Sequence, residues 1–90
     1  MSSRYYEIWR RQSREKLAQV RSERESLESL MGKSKSPEEG VEEKLDLVSK
    51  LESDAQGLHE KLDYVKSIEK SREALKVLKE LSYLALASRE

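Results

Sequence analysis

The sequence predicts an all-α protein, specifically an antiparallel helical hairpin or coiled coil with a long second helix. Three observations carry that expectation. Ala, Glu, Lys, Leu and Arg supply 51 of the 90 residues, above the roughly 50% that marks long helices and coiled coils. Phe, Thr and Asn are absent, and glycine and proline together number four, so strands and their tight turns have little material. Apolar residues recur at helical spacing along most of the chain, which is the primary signal for amphipathic helix.

The first helix is expected over about 3–31. At 100° per residue Tyr5, Trp9, Val20, Leu27, Leu30 and Met31 fall in one arc, with Tyr6 and Leu17 on its edge. Lys16, Glu23 and Ser13 interrupt that stripe, so its middle is loosely packed. Gly32 follows the apolar pair Leu30 and Met31, as a left-handed residue ending a helix does. Loop 32–36 then leads to Ser36, Pro37 and Glu39, where serine caps, proline fits the first helical position and glutamate reaches back to the cap.

The second helix is expected over about 37–88. Val41, Val48, Ala55 and Leu62 are spaced by seven, with Leu51, Leu58 and Val65 three residues after the second, third and fourth of them, which makes a coiled-coil seam. After Val65 the phase slips by one, and Ile68, Leu75 and Leu78 carry the new register. Gly57 offers an alternative, a three-helix bundle broken near 54–58. The unbroken heptad phase through Leu51, Ala55, Leu58 and Leu62 favours continuity. An interior glycine costs only about 1 kcal/mol relative to alanine.

On the continuous reading the chain is one helical module, 1–90, with an intrachain seam of Trp9, Val20, Leu27, Leu30, Val41, Val48, Leu51, Leu58 and Leu62. Everything beyond Ile68 would project about 30 Å past the first helix. Ten of the fourteen residues from Ala74 to Ala87 are apolar. The overhang therefore predicts a partner interface of Val65, Ile68, Leu75, Leu78, Leu81, Leu84 and Leu86, covered by a second copy or a helical protein partner.

Composition narrows the function classes. Cysteine is absent, which removes disulfides, thiolate metal sites and a cysteine nucleophile. His59 and Asp63 share a helix face, but one pair lacks the further ligand or acceptor that a metal site or catalysis needs; an exposed His–Asp contact is expected. Gly32-Lys33-Ser34 echoes a phosphate-binding loop without its first glycine or preceding strand. No enzyme activity, cofactor or metal is expected. Ser36 before Pro37 is also a candidate phosphorylation site, although the cap alone explains it.

Eighteen basic and eighteen acidic residues give zero net charge, but unevenly. Residues 1–24 hold seven bases against three acids, 25–63 five against eleven, and 64–90 six against four. Folding the basic first helix along the acidic segment relieves both. Arg4, Arg10, Arg11 and Arg14 lie opposite the aromatic arc and are possible contacts for an anionic surface. A solvated arginine face is the plainer reading, and nucleic acid is disfavoured by the absent net positive charge. No apolar run has the length of a membrane span and no apolar leader opens the sequence, so the expected compartment is cytoplasm or nucleus. The expected function is a structural interaction module that self-associates or joins a helical partner through its C-terminal half; the alternative is a peripheral binder of anionic membrane or RNA through its N-terminal helix.

Overall fold

The chain folds into helices alone among the residues that the computed structural model describes, which are the backbone of 3–31 and 40–87 and the side chains of 5–30 and 40–84. There are three: α1 (Ser3–Met31), α2 (Val41–Glu60) and α3 (Tyr64–Ala87). The proposed Ser36–Pro37 cap, the loop 32–36 and the Gly32-Lys33-Ser34 echo lie outside the described residues, as do the side chains of Arg4, Met31 and Leu86. α2 begins at Val41, later than the expected Pro37, and its N-cap is Gly40 at φ 91°. Glycine suits that position because the left-handed region costs other L-residues about 1–2 kcal/mol.

The long second helix is corrected to two helices. The break falls at Lys61–Asp63, not at Gly57, which is an ordinary helical residue whose missing Cβ would meet open space. The backbone hydrogen bonds show how the chain stops. The Lys61 amide donates to Gly57 O at 3.1 Å, the Leu62 amide to His59 O at 3.0 Å, and the Asp63 amide to Leu58 O at 2.8 Å. These bonds take up carbonyls that a helix end would leave orphaned, with Leu62 in the left-handed conformation at φ 68°. Asp63 then opens α3: its carbonyl accepts from the Ser67 amide at 3.0 Å and its Oδ1 from the Lys66 amide at 3.4 Å.

Leu62 occupies the place where glycine usually stands, and its side chain is 57% exposed. Leu62→Gly is therefore expected to raise the unfolding free energy by about 0.5–1 kcal/mol, since relief of the left-handed strain exceeds the added entropy of the unfolded chain. A urea melt reads this directly. In an uninterrupted helix the same change would lower stability by about 1 kcal/mol.

Cross-helix pairs fix the topology as up-down-up. Tyr6 meets Tyr64 and Ser13 meets Ser67, so α1 runs parallel to α3. Ser13 meets His59 and Arg24 meets Glu52, so α1 runs antiparallel to α2. Lys44 and Glu80, 3.7 Å apart, join the far ends of α2 and α3. The result is a rod with principal extents of 55 × 18 × 16 Å. α3 packs on both other helices, and the α1–α2 seam is the most open of the three.

The aliphatic core lies in the half of the rod away from the α2–α3 turn. Val20 and Leu27 of α1, Val41, Val48 and Leu51 of α2, and Ala74, Leu78 and Leu81 of α3 form one buried cluster, flanked by Leu45, Leu75 and Val77. This corrects the overhang. Ile68, Leu78 and Leu81 are buried and Leu75 and Leu84 half-buried, because α3 folds back and the chain's own α1 and α2 cover the face assigned to a partner. Val65 alone of that set, among the described side chains, is exposed. Within the expected seam Trp9, Leu30 and Leu58 are half-buried, and Leu62 leaves it altogether at the turn.

Candidate functional site

The half of the rod nearest the turn is built differently, from small and polar side chains. Ser13 of α1, Ser67 and Ser71 of α3 are each 0% exposed, beside Ala55 of α2, which is equally buried. Small side chains let three backbones approach closely at the level where the sequence stripe is interrupted. Burying hydroxyls is costly unless they are hydrogen-bonded, and two of the three are. Ser67 Oγ donates to the Ala55 carbonyl at 2.9 Å, Ser13 Oγ donates to Ser67 Oγ at 2.9 Å, and His59 Nδ1 lies 2.7 Å from Ser13 Oγ.

The hydrogen count assigns the histidine's role. A carbonyl only accepts, so the single Ser67 hydrogen goes to Ala55, and the single Ser13 hydrogen then goes to Ser67. His59 Nδ1 must therefore carry a hydrogen and donate it to Ser13. That direction is the reverse of what nucleophile activation needs, where the imidazole accepts from the hydroxyl. The expected exposed contact between His59 and Asp63 is corrected accordingly. His59 is half-buried and reaches across to α1, its ring 5.1 Å from that of Tyr64, while Asp63 caps α3 and lies 3.9 Å from Lys66 Nζ.

Ser71 Oγ is buried without a hydrogen-bond partner. An unsatisfied buried hydroxyl costs about 1–3 kcal/mol, and alanine is also the better helix former. Ser71→Ala is thus expected to stabilise the fold by about 1 kcal/mol, read as a higher melting temperature with unchanged helix content. A loss of stability would mean that the hydroxyl has a partner in solution.

Around this layer the end of the rod is apolar on its outside. Tyr5, Tyr6 and Ile8 of α1, Leu62 of the turn and Val65 of α3 are all exposed, and of the large exposed apolar side chains among the described residues only Leu47 and Tyr83 lie elsewhere. Tyr6 stacks edge-on against Tyr64 at 5.4 Å, and Tyr5 against the half-buried Trp9 at 6.0 Å. The Tyr6–Tyr64 pair ties the start of α1 to the start of α3 beside the turn, while Tyr5 and Trp9 pack along α1 itself. Sequence periodicity placed Tyr5 in the apolar arc of α1 and Trp9 in the seam; it could not show that the turn would bring Leu62 and Val65 to the same end.

The basic face is where the sequence puts it. Arg10, Arg11 and Arg14 are exposed and share one shallow outer surface of α1 with Glu7, and none of the three arginines makes an ion pair among the described residues. Arg24 behaves otherwise. Its Nε and Nη2 donate to the two Glu52 oxygens at 2.7 and 3.3 Å, and its Nη1 to Glu28 at 3.2 Å. Hydrogen bonding to Glu52 holds its guanidinium above the ordinary arginine range against the opposing effect of burial. This two-pronged pair bridges α1 and α2 across their open seam, beside a groove of about 580 Å³ lined by Leu17, Arg21, Ser53, Gln56 and Gly57 among others. No group of three His, Asp or Glu side chains is placed to hold a metal ion among the described residues.

Fold and surface together define the class: an all-α, up-down-up three-helix rod with a polar inner layer and an apolar, arginine-flanked end. No family model, curated protein or solved structure matches the chain. No described helix is long and apolar enough to cross a membrane.

Proposed function

We propose that the chain is a non-enzymatic interaction module whose working surface is the end of the rod where α1 begins and α2 turns into α3. One observation carries this reading: Tyr5, Tyr6, Ile8, Leu62 and Val65 are exposed together at that end. Concentrated exposed apolar groups, as opposed to scattered ones, mark interaction sites. The C-terminal half is the weaker candidate, because Leu78 and Leu81 are buried in the chain's own core and Leu75 packs against it.

A photoreactive residue introduced in place of Tyr5 is expected to cross-link to a bound macromolecule or a second copy, while the same residue in place of Tyr83, exposed far along α3, is not. Ile8→Asp with Val65→Asp should abolish the Tyr5 cross-links and leave the melt unchanged, since both side chains are about half exposed. Cross-links that gather at Tyr83 and spare Tyr5 would place the working surface elsewhere.

A further inference from the structure

We infer that this end of the rod docks on an anionic phospholipid surface, with Leu62 as its inserting tip. The inference rests on the interaction-module reading and names the partner class. Leu62 is the one non-glycine residue with positive φ among the described residues, and it is a bulky apolar side chain left in water. Glycine would relieve both costs, and strain retained at an exposed tip points to a use for the side chain.

The surroundings of Leu62 say which use. Lys61 and Lys66 flank it and are exposed, and Arg10 and Arg11 lie on the first turns of the neighbouring α1. Asp63 is engaged with the α3 cap and pairs with Lys66, while Glu60, which accepts from the neutral Gln56 amide at 3.3 Å, and Glu7 keep their charges, so Lys61, Arg10 and Arg11 exceed these two acids by one. Up-down-up topology points the N-termini of both α1 and α3 out of this end, against one C-terminus, so the helix dipoles add positive potential.

An aliphatic and tyrosine tip ringed by Lys and Arg matches a lipid interface. Leu62, Val65 and Ile8 would enter the acyl boundary, Tyr5 and Tyr6 sit at headgroup depth, and the cations meet lipid phosphates and carboxylates. A nucleic acid would engage the tyrosines and arginines but offers nothing to the aliphatic groups, which is why lipid is the better fit.

The full chain is tested with vesicles of phosphatidylcholine containing phosphatidylserine and with phosphatidylcholine alone, by co-sedimentation and by the fluorescence of Trp9, the sole tryptophan and a resident of this end. Binding is expected to the anionic vesicles only. Leu62→Gly should weaken it at least about threefold while raising thermal stability, a combination that misfolding cannot produce. Arg10→Glu with Arg11→Glu should weaken it at least about thirtyfold, since each of the two cations is worth roughly fivefold at a charged membrane before the added repulsion, and Tyr83→Asp should leave it unchanged. Three results overturn the inference: no binding to anionic vesicles, equal binding to neutral ones, or tighter binding to polyuridylate that Leu62→Gly leaves intact. If vesicle binding is absent but Tyr5 cross-links to a protein persist, the interaction-module reading stands and only the lipid assignment falls; if both are absent, both fall.

Discussion

Leu78→Ala lowers the unfolding free energy by about 3 kcal/mol, the largest effect expected from any single change in this chain, within the 2–5 kcal/mol typical of such truncations. Leu78 is 2% exposed and belongs to the cluster that joins α1, α2 and α3. Removing its branched end takes apolar contacts from a cluster to which all three helices contribute and leaves a cavity there. A chain of this size has on the order of 5–10 kcal/mol of stability in total, so the variant loses a large share of it. Urea melts followed by circular dichroism measure the change. Leu47→Ala, at an exposed α2 position, should shift the same melt by no more than about 0.5 kcal/mol. Equal and small effects at both sites in a monomeric chain would mean that α3 is not part of the core.

Ser67→Ala costs about 2 kcal/mol, opposite in sign to Ser71→Ala one helical turn away on the same face. The two serines are equally buried, so burial does not separate them. Hydrogen bonding does. Ser67 Oγ is the middle link between Ser13 and the Ala55 carbonyl, and its loss removes both of those buried hydrogen bonds, at about 1 kcal/mol each, and leaves the Ser13 hydroxyl with His59 alone. Ser71 Oγ has no link to lose. The pair of variants, compared in one set of thermal melts, isolates the polar layer from any general effect of alanine on helix propensity, because that effect is common to both. A gain of stability in both would show that the layer contributes nothing.

Much of the fold is legible in the sequence. The all-α class and the antiparallel pairing of α1 with α2 follow from composition and periodicity, while the Gly32 signal lies outside the described residues. The break at Lys61–Asp63 was hidden for a physical reason. Helix ends are recognised by glycine or asparagine at the left-handed position, and here a leucine that also continues the heptads holds it. The one-residue phase slip between Val65 and Ile68 was the surviving trace, since it marks the start of a helix with its own buried face: Tyr64, Ser67, Ile68, Ser71, Ala74, Leu78 and Leu81. Serine at three of the core positions in the turn-proximal layer weakened the stripe on α1 and α3 alike, so the polar layer read as an imperfect seam. The exposed end was legible only in its α1 part, the aromatics and arginines; Leu62 and Val65 join it through the turn.

The central structural claim is that α3 folds back along its own chain, and one distance measures it. The sequence has no cysteine, so Lys44→Cys with Glu80→Cys takes two spin labels at unique positions, labelled chain being diluted in unlabelled chain so that only distances within one molecule count. In the folded-back rod these side chains meet, 3.7 Å apart in the native ion pair, and the labels should lie within about 20 Å, allowing for their linkers on adjacent helices packed 8–10 Å apart. An uninterrupted helix from α2 through α3 would separate them by about 54 Å at 1.5 Å per residue, and that longer distance would contradict the account.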